Sequence, residues 1–138
     1  MGGMEKLIVT TKQIEDLKKY SLFHKPFEAC SLLLGSVRDH FYIVGESYHV
    51  KNLNRSINSF KMAGADLMAA YQYSLRRNLD VIGVFHSHML GTKPSKEDLI
   101  YMEINPVVWL IYSISDYKFG AYILDTTLRK VLIDVVME

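Results

Sequence analysis

The stretch that most constrains this chain is residues 80–88, "DVIGVFHSH". Its β-branched and aromatic side chains suit a pleated surface, and its length fits a strand better than an ordinary buried helix. It reads as a buried strand that ends in two histidines. Alternate side chains of a strand share a face, so His86 and His88 point the same way, about 6–7 Å apart along the chain.

The neighbouring segments build a sheet around it. "KLIVT" reads as a short strand, and the helical stretch after it carries Thr10 three residues before Gln13, the spacing of a capping box. Ile14, Leu17 and Leu22 supply its apolar face. "ACSLLLGSVRD" and "HFYIVGESYHVKN" read as an antiparallel pair turning near Arg38–His40. Residues 63–79 are rich in helix formers, with Leu67, Ala70, Tyr71 and Leu75 lining one face. "SKEDLIYMEI" reads as a short helix with Ser95 as N-cap. "VVWLIYSI", "YKFGAYILD" and "TLRKVLIDVVM" close the chain as three strands. The expected fold is a mixed α/β (α+β) domain, its mainly antiparallel sheet flanked by two to three helices.

At 138 residues, with no repeat, linker-like run or low-complexity tract, residues 1–138 read as a single domain. A net charge of +1 gives no broad basic field, which argues against general binding of nucleic acid or acidic lipid. No stretch approaches the roughly 20 apolar residues of a spanning helix, so no membrane partner is expected. Cys30 is the only cysteine, which rules out an intrachain disulfide and favours a reducing compartment. "MGGMEKLIVT" lacks the regions of a signal peptide, and the expected location is cytoplasmic. Met1–Gly3 reads either as an added stub before a native Met4 or as native sequence.

The histidine pair has two readings. Two imidazoles at this spacing can share one small ion, imidazole suits zinc, and an aspartate oxygen is an acceptable third ligand. A helix starting at Ser95 puts Asp98 in its first turn, where the carboxylate can face back toward the strand end. Three protein ligands leave a fourth position for water, as in a catalytic zinc site. Equally, Ser95 and Asp98 satisfy a capping box unaided, and the histidines can be ordinary strand residues. A further residue is needed, and Glu28 in "PFEACSLLLG" offers itself: a carboxylate at the mouth of a very apolar strand is costly to bury without a partner.

Taken together, Glu28 with "ACSLLLG", then "GVFHSH", then "PSKED" resembles the JAMM (MPN-domain) metalloprotease family, over roughly residues 4 to 135. "VKNLNRSINSFKM" is similar to the family's asparagine-containing strand and the loop after it. The resemblance implies an MPN-like, cytidine-deaminase-like fold. It implies zinc held by His86, His88 and Asp98, Glu28 as general base, and Ser95 as a group that stabilises the oxyanion. Ser87 would point away and serve the strand. The chain departs from the pattern in having Met89 where proline is usual and six residues before Ser95 where seven are usual. It also has Ser31 where glycine is common.

The implied activity is zinc-dependent isopeptidase or peptidase action after the C-terminal glycine of a ubiquitin-like modifier or sulfur-carrier protein. Its tail would lie in a groove beside the metal, touching Met89, Leu90 and Lys93. Two alternatives stand beside it: a non-catalytic interaction module of the same fold, and a different zinc hydrolase. A homodimer is compatible with either class. The apolar flanks of Cys30 favour an inert buried thiol over a nucleophile. His24, His40 and His49 show no ligand spacing and read as surface or turn residues.

Overall fold

The computed structural model describes residues 4–137. The question of a native start at Met1 or Met4 falls on residues 1–3, outside the described residues. The chain forms β1 (Lys6–Thr10), α1 (Thr11–His24), β2 (Cys30–Arg38), β3 (Phe41–Val50) and α2 (Gly64–Arg76). There follow β4 (Asp80–His88), α3 (Lys96–Ile104), β5 (Val108–Ser113), β6 (Lys118–Leu124), β7 (Leu128–Lys130) and β8 (Leu132–Val136). Among the described residues no helix is long and apolar enough to cross a membrane.

Local chemistry accounts for the helix starts. The capping box of α1 is complete: the Gln13 amide N–H donates to Thr10 Oγ1 at 3.0 Å, and the Thr10 N–H donates to Gln13 Oε1 at 2.8 Å. The Gln13 side-chain NH₂ then donates to the carbonyls of Val44 and Gly45, which docks the helix start on β3. Ile14 and Leu17 are buried as expected, but Leu22 is exposed, and Ser21 takes its place on the buried stripe. Seven residues after Ile14 is nearly two whole turns, eight is not, and the Ser21 hydroxyl is satisfied by donating to the Leu17 carbonyl. The α2 face shifts for the same reason. Ala70 and Ser74 are buried, whereas Tyr71 and Leu75 face solvent.

The sheet has eight strands in the order β7-β6-β5-β4-β2-β3-β1-β8. Four neighbouring pairs are antiparallel and three are parallel. The β2–β3 hairpin turns through Asp39 at φ 54°, a left-handed position that aspartate tolerates. The run expected as one last strand is two. The Val131 N–H donates to the Ala121 carbonyl on β6, and the Leu132 N–H donates to the Glu5 carbonyl just before β1. The chain thus leaves one edge of the sheet and joins the other within two residues, and the two edges are tied together.

Each face of the sheet carries its own core. Leu7, Ile14, Leu17, Phe85 and Leu110 pack on the α1 side. Leu32, Ala70, Val84, Met102 and Ile111 pack on the side of α2 and α3. Fully burying each such side chain contributes about 1.5–3 kcal/mol, so β4, between β2 and β5, is among the most firmly held elements. His86 has the parity of Val84, which points it toward α2 and α3.

Candidate metal centre

The strand β4 ends at His88, with Cys30 opposite His86 on β2 and Ile111 opposite it on β5. After six intervening residues Ser95 caps α3, whose start is a second complete capping box. The Asp98 N–H donates to Ser95 Oγ at 3.0 Å, and the Ser95 N–H donates to Asp98 Oδ2 at 2.9 Å. That same Oδ2 lies 3.1 Å from His86 Nε2 and 3.2 Å from His88 Nε2, and the two nitrogens are 3.0 Å apart. The cap and the histidine cluster therefore share one carboxylate oxygen, so the two readings of the sequence hold together.

Three atoms in mutual contact cannot all be satisfied by each other. Each neutral imidazole brings one N–H, and two Nε2–H groups aimed at one oxygen would confront each other across 3.0 Å. Atoms sharing a tetrahedral ion at about 2.0–2.2 Å stand about 3.3–3.6 Å apart, close to the spacing here. Glu28 stands on the same centre, with a carboxylate oxygen within 4.8 Å of both histidine nitrogens. Among the described residues only two buried side-chain polar atoms lack a hydrogen-bond partner, Glu28 Oε1 and His86 Nδ1, and both belong to this cluster. Nitrogen and carboxylate donors in this arrangement fit a borderline cation such as zinc.

The electrostatics follow from burial. The Glu28 carboxyl is pushed up to about 8, first by burial and then by the negative charges of Asp98 and Glu97. Burial works to raise the Asp98 carboxyl as well, but the contacts with His86 and His88 outweigh it and hold it well below the usual carboxylate range. Burial holds His86 below the ordinary imidazole range, in the neutral form a metal ligand needs. One carboxyl thus holds its proton near neutral pH while the other stays ionised.

Several contributors were not legible in the sequence. Phe60 stacks on the His86 ring with centroids 4.7 Å apart, and Trp109 meets it edge-on at 5.8 Å. Asn52 donates from Nδ2 to the Glu28 carbonyl at 2.9 Å and to the Ser59 carbonyl at 3.2 Å. The asparagine-rich composition of residues 52–58 was the available signal, since asparagine readily bonds nearby backbone. Ser87 does turn from the cluster, and its Oγ accepts the Ala29 N–H at 2.9 Å.

The remaining sequence candidates fall as follows. Met89 packs against the α1-side core, on the opposite face of β4 from the histidines, while Leu90 beside it is 76% exposed. The shortened loop is closed by Gly91 at φ 83°, whose N–H donates to Ser113 Oγ and Asp116 Oδ2. Ser31 also lies away from the centre, its Oγ 2.7 Å from His49 Nδ1. His49 is exposed, as read, and its ring stacks on Tyr20 at 3.7 Å while its Nε2 lies 3.2 Å from Asp16 Oδ2. Cys30 is buried in the α2/α3-side core with its thiol donating to the Val50 carbonyl, and burial, then Glu28, pushes it up to about 12. Such a thiol is no nucleophile.

Known proteins share this arrangement of chain. Residues 12–122 match the family described as prokaryotic homologs of the JAB domain. Over 112 residues the chain is 31% identical to a desampylase of Pyrococcus furiosus, an alignment covering 80% of this chain and 76% of the relative. The solution structure of a protein from Desulfitobacterium hafniense superposes with a TM-score of 0.87 at 25% identity, covering 96% of this chain and 94% of the other.

Proposed function

The chain belongs to the prokaryotic branch of the JAB (JAMM/MPN) family, and from this we propose that it is a zinc-dependent isopeptidase. We infer that it cleaves the amide bond after the C-terminal glycine of a small ubiquitin-like modifier. One observation carries the reading: two Nε2 atoms and one carboxylate oxygen meet within 3.2 Å beside a second, buried carboxyl that has an unpartnered oxygen. The family supports hydrolysis, and the name of the Pyrococcus relative supports a ubiquitin-like substrate.

His86, His88 and Asp98 would hold the ion. Zinc, when bound, supplies Lewis acidity toward the scissile carbonyl and toward water. Glu28 would take the proton of the attacking water and deliver it to the leaving amine; the charge of a bound cation beside it would oppose the effect of burial and keep the carboxylate ionised for that task. The Ser95 oxygen already accepts the Asp98 N–H, which leaves its own proton to donate to the developing oxyanion. Leu90, exposed beside the centre, would contact the modifier's tail. A reducing cytoplasm suits a chain whose single thiol is buried and unpaired.

The test measures zinc stoichiometry together with cleavage of a ubiquitin-like protein fused through its C-terminal glycine. Wild type should bind one zinc ion and cleave. Glu28→Gln should keep the metal and lose cleavage, and His88→Ala should lose both. Full activity in both variants would end the metallopeptidase reading. Zinc bound without cleavage of any such fusion would favour a non-catalytic module.

A further inference from the structure

Glu28 belongs to neither α1 nor β2; it sits in the connection between them, two residues before the strand begins. Its Oε1 has no hydrogen-bond partner, so that oxygen is aimed by the backbone that carries it rather than by a contact of its own. That backbone is fully tied. The Glu28 N–H donates to the Ser56 carbonyl at 3.3 Å, and the Glu28 carbonyl accepts from Asn52 Nδ2 at 2.9 Å. The Ala29 N–H donates to Ser87 Oγ at 2.9 Å, and the Ala29 carbonyl accepts the Ser87 N–H at 3.0 Å. Of these four bonds, two are made by side chains, those of Asn52 and Ser87.

Their placement matters more than their number. Ser87 stands between the two histidines, so one residue of the histidine strand holds both backbone groups of the residue after Glu28. Asn52 holds the other side. Its Oδ1 accepts the N–H groups of Asn54 and Lys61 while its Nδ2 spans Glu28 and Ser59, which locks the loop leading to Phe60 onto the Glu28 carbonyl. We propose that Ser87 and Asn52 are positioning residues that hold the Glu28 carboxylate at its working distance from His86 and His88. Neither touches the reacting atoms. This rests on the reading of Glu28 as the general base.

The experiment uses the full-length zinc-loaded protein and reads three quantities: cleavage of the ubiquitin-like fusion, zinc affinity by competition with a chromophoric chelator, and amide exchange by NMR. Misplacing a catalytic group by about 1 Å costs on the order of 100-fold, so Ser87→Ala and Asn52→Ala should each lower kcat by about 10–100-fold. KM and zinc affinity should stay within about threefold, because the ligands are held by β4 and α3. The Ala29 amide should exchange at least about tenfold faster in Ser87→Ala. Ser87→Thr, which keeps the oxygen, should recover kcat to within about threefold. Wild-type kcat in both alanine variants overturns the inference, and so does a zinc affinity that falls in step with kcat. If Glu28→Gln abolishes cleavage while both alanine variants cleave normally, only this inference fails. If wild type binds zinc and cleaves nothing, the proposed function fails and takes the inference with it.

Discussion

Phe60 lies over the His86 imidazole, centroids 4.7 Å apart and planes 29° from parallel, and so closes one side of a ring that has no solvent exposure. It comes from the loop between β3 and α2, so this loop fixes both a wall of the centre and, through Asn52, the backbone of Glu28. Replacing a buried phenylalanine by alanine costs about 3–5 kcal/mol. Phe60→Ala should therefore lower the thermal midpoint by roughly 10–20 °C. Losing the packing that orients His86, a proposed zinc ligand, should also weaken zinc binding by about 10–100-fold. Phe60→Leu should recover most of both. Calorimetry beside a zinc titration checks this, and an unchanged zinc affinity in Phe60→Ala would show that the ring serves only the fold.

The raised carboxyl of Glu28 makes metal-free stability depend on pH in a definite direction. Between its ordinary value of 4.5 and about 8, the folded protein keeps a proton on Glu28 that the unfolded chain has released. The contribution of this group is complete below that window and is lost as pH rises through it. Glu28→Gln has no proton to lose, so its stability relative to metal-free wild type should climb from pH 5 to pH 8.5 and level off above. Urea midpoints of both proteins across this range test it. Parallel curves would show that Glu28 titrates normally. Zinc should flatten the wild-type slope, because its charge opposes the effect of burial.

What could be read from the residues, and what could not, divides by range. Thr10 with Gln13 and Ser95 with Asp98 are contacts over three residues, and both capping boxes formed as spaced. The parity of His86 and His88 is equally local, which is why three members of the cluster were visible in one short stretch. The kink at Val131 was not, because nothing in "TLRKVLIDVVM" says that its two halves pair with strands at opposite ends of the sheet. The expected faces of α1 and α2 differ from the observed ones at Leu22, Tyr71 and Leu75, which are exposed, while the residue before each, Ser21, Ala70 and Ser74, is buried. The resemblance marks residues 50–62 as the asparagine-containing strand and loop, but residues 51–63 have no periodicity that says what Asn52 and Phe60 touch in the site, since Glu28 and His86 lie 24 or more positions away.

The zinc site proposed above predicts that metal removal destabilises the fold. An ion that binds only the native protein stabilises it by about 4 kcal/mol at a thousand times its Kd. Adding a chelator to the zinc-loaded protein should lower the thermal midpoint by roughly ten degrees or more. His88→Ala and Asp98→Asn should show little of this difference, each having lost one of the three proposed ligand atoms, which meet within 3.2 Å. Asp98→Asn should also be the less stable of the two without metal, because it disturbs the cap of α3 as well as the imidazole contacts. Scanning with and without chelator settles the point, and an undiminished shift in both variants would place the ion elsewhere.

The N-cap role of Ser95 and the catalytic role proposed for it can be separated by substitution. As N-cap its oxygen accepts the Asp98 N–H, and losing that bond costs about 1 kcal/mol. As donor to the oxyanion its hydroxyl proton should be worth about 100–1000-fold in kcat. Ser95→Ala loses both and should combine a small fall in thermal midpoint with a large fall in kcat. Ser95→Asp restores a good cap acceptor but offers no proton at neutral pH and sets a negative charge beside the scissile carbonyl, so it should recover stability without recovering cleavage. Ser95→Thr keeps oxygen and proton and should retain both to within about tenfold. Cleavage rates of the ubiquitin-like fusion measured beside unfolding midpoints distinguish the two duties. If Ser95→Asp cleaves as fast as Ser95→Thr, the hydroxyl proton has no part in the reaction, and Ser95 acts only by turning the Asp98 carboxylate back toward His86 and His88.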